Sequence, residues 1–257
     1  MTALLMALLL ASPGSTAYEK ANALFVAKKF PEASTAVAEA LRLDPRLVPA
    51  LTLKAKLAMA ANHFEEAGEV LADALRIDPK AEYAQFLHGL TAYLSNDLAR
   101  ALPRFRRARQ LSPTSPRTAF YLGLTCESLG QTDEAMVLYR DAVRLERIAG
   151  GAQAETLLAG ARLLFLRDQL AESEQWIRDA VRTAPKFRDA HFELARILLK
   201  KGEAAAAAAE GESALLLSGE TIADAQIHYL LIRAWRQSGR PRKAAEHAEA
   251  LRALEAP

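Results

Sequence analysis

Glu39-Ala-Leu-Arg-Leu-Asp-Pro45, Asp73-Ala-Leu-Arg-Ile-Asp-Pro79 and Arg107-Ala-Arg-Gln-Leu-Ser-Pro113 are three versions of one phrase. Their prolines stand 34 residues apart at each step. A period of that size means stacked supersecondary units, each unable to bury its apolar face alone. Small residues carry the period beyond the prolines. Ala40, Ala74, Ala108, Ala142, Ala180 and Ala214 step by 34, 34, 34, 38 and 34. Ala33, Ala67, Ala101, Ala135, Ser173, Ala207 and Ala244 step by 34, 34, 34, 38, 34 and 37, and so do Ala21, Ala55, Gly89, Gly123, Ala161, Ala195 and Ile232. Three series that pass in lockstep through the 38-residue step, two of them continuing through the 37-residue one, mark seven units.

Each unit reads as two amphipathic helices. In the fourth, Arg117 to Leu129 is one helix, Gly130-Gln131-Thr132 the turn, and Asp133 to Glu146 the other. Gly130 suits a helix stop, and Thr132 or Asp133 a helix cap. Gly202 and Gly239 fall in the same turn of later units. The closing proline cannot continue a helix and so separates one unit from the next.

These features resemble the tetratricopeptide repeat family, whose pattern asks for small residues at the eighth, twentieth and twenty-seventh positions and proline at the thirty-second. The resemblance covers about residues 14 to 255. It implies an all-α, right-handed superhelical solenoid of about seven helix–turn–helix repeats with a concave groove. Arg147 and Gly219 depart from the pattern by replacing the closing proline in the fourth and sixth units. Four extra residues near Ile148-Ala149-Gly150-Gly151 predict a bend around 148–153. Ala204 to Ala209 give the sixth unit little apolar bulk, and Gly211 stands where a large residue is usual, so that helix is expected to be weak or to admit a close neighbour.

Composition narrows the function. The 33 basic and 31 acidic residues nearly balance, which argues against nucleic acid as the main partner. A single cysteine, Cys126, excludes an internal disulfide framework and a cysteine-built zinc site. Leu4 to Ala11 is an apolar run followed by Ser12-Pro13-Gly14 and Ser15-Thr16-Ala17, the outline of a secretory leader. The run is too short to span a bilayer. Residues 1–17 therefore read as a signal peptide, with an N-terminal capping helix as the alternative, and 18–257 as the repeat domain. The leader reading places the protein in the periplasm of a bacterium or outside the cell; without it, the protein is cytoplasmic.

No phosphate-binding loop, His-Glu-x-x-His or Gly-x-Ser-x-Gly is present. His191 and His228 share the fourth position of neighbouring units, where packing histidines are expected ahead of a metal pair. Cys126 is expected in the core. Arg100, Arg104, Arg106, Arg107 and Arg109 form the densest charge cluster, best read as a solvated helix face. Neither an enzyme nor a cofactor site is expected.

In the family the first helix of each pair lines the groove through its second, fifth, sixth, ninth, twelfth and thirteenth positions. The resemblance thereby selects Tyr18, Phe25, Tyr83, Phe86, Tyr93, Phe120 and Tyr121 early in the chain. Further along it selects Phe165, Phe192 and Tyr229, with Arg162, Arg196, Arg233 and Arg236 making the late groove basic. Aromatics offer broad contact at modest entropy loss, and arginines offer forked donors to carboxylates. The expected partner is a protein or peptide segment, apolar where it meets the rings and acidic where it meets the arginines. Some of the rings are alternatively packing between repeats. The Lys and Asn clamp with which some members hold acidic chaperone tails is not reproduced: Asn22 fits it, but Tyr18, Leu53, Tyr83 and Leu87 do not. Two other readings stand beside a scaffold: a docking or substrate-presenting subunit of a transferase or protease complex, and a self-assembling structural protein. The residues fix no oligomeric state.

Overall fold

The computed structural model describes residues 12–219 and 221–255. Among these there are fourteen helices and no strand. The first helices of the seven repeats are α1 (Pro13–Val26), α3 (Val48–Ala60), α5 (Glu82–Leu94), α7 (Pro116–Ser128), α9 (Ala154–Leu166), α11 (Arg188–Lys200) and α13 (Asp224–Gln237). The second helices are α2 (Phe30–Leu43), α4 (Phe64–Ile77), α6 (Leu98–Leu111), α8 (Thr132–Ala149), α10 (Leu170–Thr183), α12 (Ala204–Leu215) and α14 (Pro241–Glu255). The chain forms two compact units, one ending at Gln131 and the other beginning at Thr132, so the boundary falls inside the fourth repeat. No helix among the described residues is long and apolar enough to cross a membrane.

The turn inside each repeat is built the same way seven times. Lys28, Asn62, Asn96, Gly130, Asp168, Gly202 and Gly239 all have positive φ, between 57° and 86°. The following N–H then reaches the carbonyl five residues back, as His63 N–H does to Ala58 at 2.9 Å and Gln131 N–H to Cys126 at 2.8 Å. That bond satisfies a carbonyl that the end of the helix leaves open. Because Gln131 already completes this closure, α8 starts at Thr132, and Thr132 and Asp133 are its first residues rather than caps. Asp97 does cap α6, accepting from the Arg100 N–H at 3.0 Å.

Between repeats, the Asp-Pro pairs of the opening phrase make side-chain turns. Asp44 accepts the Arg46 N–H and Asp78 the Lys80 N–H, each at 2.9 Å. In the sixth repeat Gly219 takes the closing position because Arg188 occupies the space beside it: a Cβ there would lie 2.9 Å from Arg188 Cδ. The buried Arg188 donates to the Leu217 carbonyl at 3.1 Å and pairs with Asp224, so it pins the loop that a proline would otherwise stiffen.

The small residues explain how the helices approach. Ala21, Ala55, Ala161 and Ala195 are fully buried. A Cβ on Gly89 would sit 2.8 Å from the Phe105 ring, and one on Gly160 would collide with Trp176. Gly211 admits a close neighbour, since its Cβ would lie 2.8 Å from Leu231 Cδ2. The apolar floor that α12 itself lacks is supplied in this way by α13.

The four-residue insertion lengthens the helix and leaves the loop after it at four residues, as after α4 and α6. α8 has 18 residues where α4, α6 and α10 each have 14, and Ile148 and Ala149 belong to it. The chain then turns through Gly150 and Gly151, with φ of 130° and 151°, values that side chains strain to reach. Glu146 fastens this junction by accepting from the Gln153 N–H at 2.9 Å and the Thr156 hydroxyl at 2.7 Å. Burial raises its carboxyl above the ordinary carboxylate range.

At the start of the chain, Ser12 caps α1 by accepting the Ser15 N–H at 3.2 Å. Pro13 to Ala17 are the opening of α1, and Gly14 packs against Asp44 and the Ala40 carbonyl. The leader-like run, Leu4 to Ala11, lies outside the described residues.

Candidate functional site

In the first unit, α1, α3, α5 and α7 pack in order side by side, so their inward positions share one face. Much of that face is a ring cluster. Phe86 meets Phe105 at 5.7 Å and Tyr121 at 5.6 Å between centroids, and Phe105 stacks on Tyr121 at 6.0 Å. Tyr83 stacks on Phe86, Tyr93 meets Tyr121 edge-on at 6.1 Å, and Phe120 meets Tyr121 at 5.4 Å. Phe86 is only 1% exposed. It packs between neighbouring repeats and leaves a ligand almost no surface.

Two cations that the sequence reading passed over lie on rings of this unit, and one of them covers the cluster. The Lys56 ammonium lies 4.2 Å from the Phe25 ring centre. The Arg117 guanidinium lies 5.1 Å from Tyr83 and 4.4 Å from Phe86. A signal for both was present. Lys56 holds the ninth position of the second repeat, in register with Arg162, Arg196 and Arg233, and Arg117 holds the second position of the fourth, in register with Tyr83. Basic residues at the ninth position were selected only late in the chain, and at the second position the rings were selected ahead of Arg117.

In the second unit, α9, α11 and α13 are the neighbours. Phe165, Phe192, Arg196, Tyr229, Arg233 and Arg236 converge on one groove of about 670 Å³, floored by Leu199, Leu230 and Ile232. Six of the seven residues that the sequence selected in this half thus share a cavity. Arg162 is turned away from it. Its Nε donates to Glu193 at 2.8 Å and a terminal nitrogen lies 3.6 Å from Asp189. Glu193, 3% exposed, also accepts from Arg196 at 2.7 Å. The arginine row is therefore unequal. Arg162 and Arg196 are largely answered by buried carboxylates, whereas Arg233 and Arg236 are exposed with no ion pair among the described residues.

Arg196 keeps a second role, lying 4.8 Å over the Phe165 ring, where Lys200 also sits at 4.8 Å. The Tyr229 hydroxyl donates to Glu255 at 3.1 Å, and that carboxylate raises its pKa.

The histidines separate. His191 bonds Glu210 at 2.7 Å and the Pro185 carbonyl at 3.0 Å, and the Glu210 hydrogen bond raises its pKa. His228 faces His247 at 3.1 Å rather than His191, while the other His247 nitrogen meets Glu212 at 2.9 Å. No group of three metal-ligating side chains occurs among the described residues. Cys126 is buried, as expected for a small core residue. In the arginine run, Arg100 pairs with Asp97, Arg104 reaches Gln85 at 3.4 Å and Arg107 reaches Gln110 at 3.2 Å.

Comparison with solved structures places this fold among known ones. The Pseudomonas aeruginosa pilF structure matches 80% of this chain and 91% of its own, at 17% identity and TM-score 0.69. PilW, a widely conserved type IV pilus biogenesis factor, matches 80% of this chain and 93% of its own, at 20% identity and TM-score 0.68. YrrB, described as a TPR protein with an unusual peptide-binding site, matches 68% of this chain and 88% of its own, at 18% identity and TM-score 0.55. A search of curated proteins gave no match. Sequence models of the tetratricopeptide repeat match residues 24–88, 86–154 and 158–221, well over half of the chain. The chain belongs to the tetratricopeptide repeat family.

Proposed function

We propose that this protein is a non-enzymatic scaffold that holds a segment of a partner protein in the groove across α9, α11 and α13. Repeats of this family are protein-interaction modules, and YrrB shows the fold with a peptide-binding site. The observation that carries the reading is the pair Arg233 and Arg236, two arginines without carboxylate partners beside an apolar floor. That combination suits a segment that places Asp or Glu next to large apolar side chains. A guanidinium fork binds a carboxylate with directional hydrogen bonds, and Phe165, Phe192 and Leu230 give apolar surface for the neighbouring residues.

The acidic end of the ligand is drawn to Arg233 and Arg236 rather than to Arg162, which Glu193 and Asp189 already neutralise. The leader-like run at Leu4 to Ala11 supports export as the setting. N-terminal sequencing of the protein from separated cell fractions tests the location.

Peptide display against the whole protein tests the groove. Selected peptides should combine acidic and apolar residues, and the double change Arg233→Ala and Arg236→Ala should weaken them about tenfold or more, the size of one or two charge-assisted contacts. Peptides without acidic enrichment, or affinity unmoved by the double change, would overturn the assignment.

A further inference from the structure

The two cations of the first unit are linked through Tyr83 and the groove it lines. Arg117 rests on Tyr83, and Tyr83 and Lys56 line the same groove of about 360 Å³, together with Tyr18, Asn22 and Glu82. Burial, with Arg117 adding to it, lowers the Lys56 ammonium below the ordinary lysine value. Neither cation is joined to a carboxylate among the described residues; each is held against an aromatic face.

A half-buried lysine with no counter-ion and a second cation nearby is an unfavourable arrangement within the isolated protein. Aromatic faces offset part of the penalty, about 0.5–2 kcal/mol for each contact. An anion placed between the two would relieve the rest. The groove also offers the Asn22 amide and the Tyr18 and Tyr83 hydroxyls as neutral donors. Glu82, in the first turn of α5, is the carboxylate in the lining and makes no ion pair with either cation.

We propose that Lys56 and Arg117 form a second anion subsite, which takes a carboxylate side chain of the partner segment while Phe25 and Tyr83 flank it. The proposal rests on the reading of the repeats as a protein-binding surface. It departs from the expectation that the early repeats meet only apolar side chains: a segment that fits the first unit carries an acidic residue there. A carboxylate is the anion argued for, because it is the one a protein segment carries and because lysine and arginine donors on aromatic supports match its oxygens.

The test follows Lys56 itself. Full-length protein with isotope-labelled lysine is titrated with the peptide acetyl-Glu-Phe-Glu-amide and with its Gln-Phe-Gln counterpart, reading the Lys56 side-chain NMR signal, which is assigned with Lys56→Arg. The glutamate peptide should move that signal and the glutamine peptide should not. Arg117→Met should weaken the response about fivefold or more, and added salt should weaken it further. Lys56→Arg should retain binding, read from the aromatic signals of the peptide, whereas Lys56→Met should lose it. Arg233→Ala with Arg236→Ala should leave the Lys56 response intact, so failure of the other groove is distinguished from failure here. Equal shifts with both peptides, no shift with either, or binding unaffected by both Arg117→Met and Lys56→Met would overturn the proposal. A response to inorganic phosphate alone, with none to the glutamate peptide, would overturn the choice of carboxylate.

Discussion

The first and second units place the same repeat positions on the same kind of face and use them in opposite ways. In the first, cations lie on rings: Lys56 on Phe25, and Arg117 on Tyr83 and Phe86. In the second, two of the three ninth-position cations, Arg162 and Arg196, share Glu193, and only Arg233 is left without a carboxylate among the described residues. The difference turns on what the adjacent helix offers. Where α11 supplies a buried Glu193 and Asp189, an inward arginine becomes structure. Where the neighbour supplies rings and no carboxylate paired to the cation, the cation keeps much of its charge available. A basic residue at a groove position is therefore a ligand contact only after the surrounding carboxylates have been counted.

The contrast can be broken most forcefully at its apolar centre. Phe105 is fully buried against Gly89, Phe86 and Tyr121. Phe105→Ala should destabilise the protein by about 3–5 kcal/mol. Because repeat arrays add local and neighbour terms, chemical denaturation should show an early transition reported by Tyr fluorescence, while the Trp signal from Trp176 and Trp235 persists longer. A single coincident transition would mean that the two units unfold together.

A smaller effect is expected at the carboxylate that defines the second unit. Glu193→Gln leaves Arg162 and Arg196 without their shared partner, and loss of about 2 kcal/mol follows, less than for a fully buried pair because both arginines reach solvent. The same change should tighten binding of acidic peptides, since Arg196 is released to the groove. Stability measured by urea titration and affinity measured by calorimetry should thus move in opposite directions. If both fall, Glu193 shapes the groove instead of competing for its arginines.

The gentlest change sharpens a second contrast between the units, in their turns. The second unit uses Asp168, Gly202 and Gly239 at positive φ, whereas the first begins with Lys28, which has no local side-chain advantage there. Lys28→Gly should stabilise by about 0.5 kcal/mol, the left-handed strain relieved minus the added freedom of the unfolded chain. A modest rise in Tm checks it, and Asn62→Gly should give less, because Asn tolerates that conformation better.

The repeat was legible because it is carried by residues whose identity is nearly forced. Ala at the closest helix approaches and Pro at the unit ends recur with fixed spacing. The turns were half legible: Gly130, Gly202 and Gly239 announced themselves, but Lys28, Asn62, Asn96 and Asp168 do the same job without glycine. The groove residues of the second unit were named from register alone and gather in one cavity, Arg162 excepted. Register gave no warning that Arg162 would be neutralised, because the decisive carboxylates, Asp189 and Glu193, sit a whole repeat away at 27 and 31 residues' separation. Phe86 illustrates the converse. Its position points inward in the pattern, yet the rings of α6 and α7 close over it, and only the packed structure shows that.

The lengthened α8 has a consequence for how such chains vary. Four residues add about 6 Å of helix and turn its end by only about 40°, since a turn takes 3.6 residues. An insertion of that length shifts the next element outward and nearly preserves which way it faces. Two added residues would have swung it to the opposite side. Loop and helix length in these arrays can thus drift in steps of roughly one turn, so that spacing between binding positions becomes heritable variation, adjusted by small insertions and deletions as readily as by exchange of side chains.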